Sequence, residues 1–193
     1  SIRKQGIAFP RTAAICMENT HNRGNGAAFS PEETSDITSM GRRYNVPIHL
    51  DGARIFNASV ALGVPAKELA GQFDSVTFCL SKGLAGPVGS LVCGDQQFID
   101  RARRTRKMLG GGMRQAGVIA AAGIVALQTM IERLSEDHIN AKRLAEGLAQ
   151  LPGLSINPNH IETNIVYVDL PDIEAPELVV QLRKAGILVN GMD

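Results

Sequence analysis

The sequence has almost no excess charge of either sign. Lysine and arginine number 20 against 19 aspartates and glutamates, a net +1. A balance that even gives no pointer to nucleic acid or an acidic membrane surface as partner. No apolar run approaches the ~18–20 residues that a membrane span needs, and no charged-then-apolar signal peptide opens the chain. Cysteine is scarce too. Cys16, Cys79 and Cys93 each sit in an apolar run without metal-ligand spacing. Their odd number fits a reduced, cytoplasmic setting better than a disulfide framework, and no metal-ligand set stands out. Repeats and low-complexity tracts are absent. What is present is 44% hydrophobic and 20% charged residues over 193 positions, the profile of an ordinary globular protein of one domain, or one domain and part of another. The chain begins Ser-Ile-Arg and stops at Asn190-Gly191-Met192-Asp193, just after a strand-like stretch. Those ends predict a piece of a larger protein.

The pattern along the chain alternates. Residues 13–17, 46–50, 75–80 and 90–94 read as short apolar strands. Ser30-Pro31-Glu32-Glu33 is a helix start, with a capping serine, proline at the first helical position and acids in the first turn; that helix runs to about Tyr44. Further helices are expected over residues 54–62, stopped by Gly63, over 65–69, and from a cap at Asp95 through Lys107. Strands alternating with helices predict an α/β layer architecture with a mostly parallel sheet. Continuous apolar strands suit a sheet covered on both faces. Beyond it, residues 113–134 predict one long apolar helix and 136–148 a second. A strand over 163–168, a helix over 176–184 closed by Gly186, and a strand over 187–190 complete a smaller α+β unit. The boundary is expected near residues 125–135, dividing the chain into 1–128 and 129–193.

In covered parallel sheets ligands collect at the carboxyl ends of strands. Three strands here end in chemically able residues, Glu18, Asp51 and Lys82. Each has a plain reading as well. Asp51 in "HLDGARIF" fits a helix cap, with Arg54 solvated, as readily as a partner for a cationic ring nitrogen. Lys82 in "SKGLAGPVGS" fits a solvated loop lysine. Taken together the pair suggests a specific apparatus: a lysine amine can form a Schiff base with an aldehyde cofactor, and an aspartate can hold a protonated pyridine nitrogen. An arginine nearby orients a carboxylate or phenolate through two hydrogen bonds. In "RKMLGGGMRQAG" three glycines are expected to open the long helix, with Arg114 in its first turn, as a phosphate contact or a flexible connector. The basic run at residues 101–107 reads as a solvated helix face, since it lacks the interleaved aromatics of a nucleic-acid patch. In "CMENTHNRGNG", His21 is a residue type that can pass protons near neutrality; a hydrogen-bonded turn serves the same residues equally. His49 is expected to be a satisfied core histidine, and His138 and His160 surface residues.

These four motifs, in this order, resemble the low-specificity L-threonine aldolases, pyridoxal-phosphate enzymes of the aspartate aminotransferase fold (fold type I). The resemblance covers nearly the whole chain. It implies that Lys82 bonds the cofactor aldehyde, that Asp51 pairs with the pyridine nitrogen, and that Arg54 contacts the phenolic oxygen and the substrate carboxylate. It further implies that Arg114 approaches a phosphate, that of a neighbouring subunit included, and that residues 18–22 line the site, with Glu18 at the substrate and His21 as a proton acceptor. The implied substrate is a small β-hydroxy amino acid, threonine or allo-threonine, in a cytoplasmic homo-oligomer, a dimer or tetramer, with no nucleic-acid or membrane partner. Ala8 stands where many relatives carry a histidine near the substrate hydroxyl. A β-eliminating lyase of the same cofactor class and a truncated, non-catalytic subunit are the competing readings.

Overall fold

The computed structural model describes residue 2 and residues 6–191. Four strands form one sheet in sequence order: β1 (Ile15–Glu18), β2 (Ile48–Asp51), β3 (Ser75–Cys79) and β4 (Ser90–Gly94). β1, β2 and β3 run parallel; β4 returns antiparallel to β3. Helix α1 (Pro31–Arg43) connects β1 to β2, and α2 (Ile55–Leu62) with the short α3 (Ala66–Ala70) connects β2 to β3. The mostly parallel α/β layer expected from the strand–helix alternation is therefore what forms.

Local sequence explains the connections. The Ser30 hydroxyl accepts a hydrogen bond from Glu33 N while the Glu33 carboxylate accepts one from Ser30 N, a reciprocal cap ahead of Pro31. Gly52 follows Asp51 because the next strand leaves no room: a Cβ there would lie 2.9 Å from the Thr77 carbonyl, to which the Gly52 amide donates at 2.8 Å. The core packs beneath β2. Leu50 is 1% exposed and clusters with Ala28, Ile55, Ala58 and Leu69, each large aliphatic contributing ~1.5–3 kcal/mol by leaving water. Phe56 and Phe78 meet edge to face at 5.4 Å. β2 buries one face, through Ile48 and Leu50, while Asp51 on the other is exposed, and all five residues of β4 are exposed.

The second half departs from expectation. Asp95 caps α4 (Gln96–Met108) through Phe98 N at 2.7 Å, and the basic residues of that helix are solvated. The helix expected over 113–134 is shorter, α5 (Gly117–Thr129), and the second forms as α6 (Leu134–Leu148), at 71° to it. Apolar spacing continues across the bend, so periodicity alone could not locate it. α5 buries only Gly123 and Ala126; Val118, Ile124 and Val125 are exposed, as are Met108, Leu109 and Met113. Helix α7 (Ala175–Lys184) forms as expected. The strands predicted over 163–168 and 187–190 do not form. Apolar composition marks a segment as able to pair, but neither stretch finds a ladder partner among the described residues; Ser155 and Asp169 make one isolated antiparallel bridge. Ala141, Ala145 and Ile161 form the core of this region.

Candidate active site at the carboxyl edge of the sheet

The parallel register brings the strand-end residues together. Glu18 lies beside Asp51, and Asp51 beside Thr77, as ladder partners, so their side chains emerge on one face of the sheet. Asp51 Oδ1 accepts from the Ala53 amide at 3.0 Å. This fixes the carboxylate and leaves its second oxygen without a partner among the described residues. Two residues earlier on the same face, His49 is the satisfied strand histidine expected: Nδ1 lies 2.8 Å from Ser75 Oγ and Nε2 3.5 Å from Thr77 Oγ1. Arg54 occupies the N-cap position of α2, with its carbonyl accepting from the Asn57 amide.

Lys82 is exposed just past β3, on the loop that runs to β4. That loop is internally tied, with Ala85 N donating to Lys82 O at 2.9 Å, Gly86 N to Leu80 O at 2.8 Å and Leu80 N to Gly89 O at 2.9 Å. Gly83 and Gly86 in this loop serve packing. A Cβ on Gly83 would lie 2.7 Å from Leu134 Cδ2, and one on Gly86 would lie 2.9 Å from the Leu80 carbonyl. Asn57, 2% exposed, sits behind Gly83 and meets His138 with Nδ2 3.1 Å from Nε2. His138 is thus half-buried rather than a surface residue. Burial lowers its pKa, and the neighbouring Asp137 carboxylate offsets this in part. His160 is exposed, as expected.

Residues 18–22 form a tight arch. Glu18 Oε1 accepts from Asn22 N at 3.3 Å, and Glu18 Oε2 lies 3.7 Å from His21 Nε2. The turn is hydrogen-bonded, as the structural reading of this segment expects, and the His–Glu pair is partly exposed. Arg114 corrects the expectation for its motif. The three glycines close α4 instead of opening α5: Gly110 takes φ +84, and Gly111 N donates to Arg106 O at 2.8 Å. Arg114 precedes the first residue of α5, Gly117, and is not in its first turn. It is exposed, with no hydrogen bond or ion pair to Lys82, Asp51 or Arg54 among the described residues.

The sequence carries no functional signal at Asn57, at His138 or at residues 160–167, which contact residues 25–28. The identity of the chain Asn57–His138 was readable only as two polar residues on separate apolar helices. The donor set of one amine, one carboxylate with an open oxygen and one guanidinium fits pyridoxal phosphate in kind: an aldehyde, a basic ring nitrogen and an anionic oxygen.

Known proteins resemble the chain in sequence and in fold. The chain is 48% identical over 189 residues to low-specificity L-threonine aldolase 1 of Arabidopsis thaliana, spanning 96% of this chain and 53% of that protein. A crystal structure of a candidate L-allo-threonine aldolase from Listeria monocytogenes superposes with a TM-score of 0.82 at 22% identity, over 96% of this chain and 52% of that one. A PLP-dependent aminotransferase from Streptococcus suis does so with 0.69 at 21%, over 94% and 49%. These likenesses establish the aminotransferase-type α/β fold. The chain spans about half the length of the curated relatives it matches. The sequence profile described as beta-eliminating lyase matches residues 1–171. The chain belongs to the β-eliminating lyase family.

Proposed function

We propose that this chain forms the lysine-bearing side of a pyridoxal-phosphate site that cleaves the Cα–Cβ bond of L-threonine, L-allo-threonine or a related β-hydroxy amino acid, giving glycine and an aldehyde. The observation that carries this reading is the carboxyl edge of the sheet, where Glu18 and Asp51 are ladder partners at the ends of β1 and β2 and Lys82 lies on the loop just past β3. It is supported by the threonine aldolase named among the relatives. When bound, pyridoxal phosphate supplies an aldehyde for an amine and a ring that accepts an electron pair.

The chain's own residues then have distinct tasks. Lys82 presents its amine from a loop braced by Gly83 and Gly86. Asp51 holds a proton at the ring nitrogen with its open oxygen, while the Ala53 amide keeps the other oxygen in place. Arg54 would bind the substrate carboxylate and the cofactor's phenolic oxygen and so orient the substrate; orientation of this kind lowers barriers by several kcal/mol. His21 accepts the β-hydroxyl proton, and Glu18, lining the substrate pocket, stabilises the imidazolium that results. Arg114, exposed ahead of α5, reaches a phosphate, that of a neighbouring subunit included. The exposed apolar strip of Met108, Leu109, Met113, Val118, Ile124 and Val125 supports a homo-oligomer, a dimer or tetramer. We assign the protein to the cytoplasm on its three free cysteines, and divide it into a cofactor-binding part over 1–128 and a small-domain part over 129–193.

The family match supports a second reading, β-elimination. Product analysis of the intact protein with threonine separates the two. Cleavage gives glycine and acetaldehyde in equal amounts; elimination gives ammonia and a 2-oxo acid, and that outcome would replace the aldolase reading.

A further inference from the structure

The arch that carries Glu18 and His21 is pinned from both sides. Its base is closed by Asn19, which is 3% exposed: its Nδ2 donates to Phe29 O at 2.8 Å and its Oδ1 accepts from Phe29 N at 3.1 Å. Its interior folds onto His21, which donates from N to Ala27 O at 2.9 Å and accepts at O from Gly26 N at 3.0 Å and Gly24 N at 3.2 Å. The His21 ring lies so close to Gly24 that a Cβ there would approach Nδ1 to 2.5 Å. The tip is held by residues far along the chain. Asn25 Nδ2 donates to His160 O at 3.2 Å, and Asn25 Oδ1 accepts from Tyr167 N at 3.1 Å. Glu162 Oε2 accepts from Ala28 N at 2.9 Å, and the Thr163 hydroxyl donates to Gly26 O at 2.7 Å. Thr163 is 0% exposed. Gly26 takes φ +74, and a Cβ on it would run into Thr163 Oγ1.

We propose that residues 160–167 form a strap that positions the Glu18–His21 pair, with Thr163 as its central positioning residue. The inference rests on the proposed role of His21 in proton transfer. The physical argument is local. The hydrogen bonds inside the arch are short-range and can re-form in many turn conformations. The bonds to the strap select one of them, because Gly26 O and Thr163 Oγ1 are both out of water and lose their partner together if the arch moves. The strap crosses from the region after α6 to the end of β1. It therefore couples the placement of the second half of the chain to the geometry of the proton-handling pair.

The test uses the intact protein carrying Thr163→Val, Thr163→Ser or Glu162→Ala, the last at an exposed position that leaves the core untouched. Amide hydrogen exchange across residues 21–28, the NMR titration of the His21 imidazole, and kcat with KM are measured. Thr163→Val is expected to speed exchange at His21 and Gly26 about tenfold while Leu50 in β2 is unchanged, the scale on which losing one buried hydrogen bond frees a local segment. It should also shift the His21 titration and lower kcat with little change in KM. Thr163→Ser, which keeps the hydroxyl, should restore all three; Glu162→Ala should act in the same direction with smaller effect. Exchange and His21 titration unchanged in both Thr163→Val and Glu162→Ala overturn the strap, as does a serine variant no better than valine. If Thr163→Val does not fold, Glu162→Ala decides. Absence of glycine from wild type would defeat the proposed reaction, and the exchange and titration would still decide the strap.

Discussion

Gly83 offers a quantitative test of how the Lys82 loop is held. A Cβ at this position would lie 2.7 Å from Leu134 Cδ2 and 3.4 Å from Asn57 Oδ1. Leu134 is 1% exposed and packs with Leu80, Leu84 and Ala126, so its methyl group has no free space to turn into. Gly83→Ala therefore overpacks this cluster, at ~1–3 kcal/mol. The opposing gain from a stiffer unfolded chain is ~0.4–1 kcal/mol. The net expectation is a loss of ~1–2 kcal/mol, read as a lower urea midpoint with an unchanged slope. Leu134→Ala alone should cost ~2–5 kcal/mol through the cavity it leaves. In that background the new methyl has room, so Gly83→Ala should become nearly neutral, a coupling of ~1 kcal/mol or more. A stabilising Gly83→Ala, or strictly additive single and double variants, would refute the packing argument.

Two further outcomes follow from the same geometry. His138 is pushed down by burial, so as pH falls the unfolded chain takes up the proton first. Its contribution to stability is complete above the unfolded value of ~6.5 and is lost as pH falls from there down through the lowered folded value; His138→Gln should flatten the fall in the urea midpoint over that window, and parallel curves for the two proteins would count against the burial of His138. Asp51→Asn keeps the oxygen that accepts from Ala53 and loses the charge, so cofactor should still bind while glycine formation drops by about a hundredfold or more, ~2.7 kcal/mol in barrier; undiminished turnover would remove Asp51 from the ring nitrogen.

What could be read from sequence divides by range. The cap at Ser30, the cap at Asp95 and the parallel βα units are written in residues a few positions apart, and these formed as expected. The placement of Glu18, Asp51 and Lys82 at the carboxyl edge of the sheet was also legible, because parallel strands all end on one edge. The glycines at 110–112 were misread because glycine serves a helix end and an anion site equally; only the φ of Gly110 and the bond from Gly111 to Arg106 distinguish them. Residues 163–168 have strand composition, yet composition supplies no ladder partner, and Thr163 is instead consumed by Gly26. His138 looked like a surface residue because its partner, Asn57, lies on another helix. The hydrogen bonds from Asn25, Gly26 and Ala28 to residues 160–167 leave no local signal at all, since each partner alone is an unremarkable turn residue.

The central claim is that Lys82 supplies the amine for the cofactor aldehyde. The direct measurement is borohydride reduction of the intact protein loaded with pyridoxal phosphate, followed by peptide mapping. The prediction is a single stable pyridoxyl label on the peptide containing Lys82, absent in Lys82→Ala. A label on another lysine, or an undiminished label in Lys82→Ala, would contradict it.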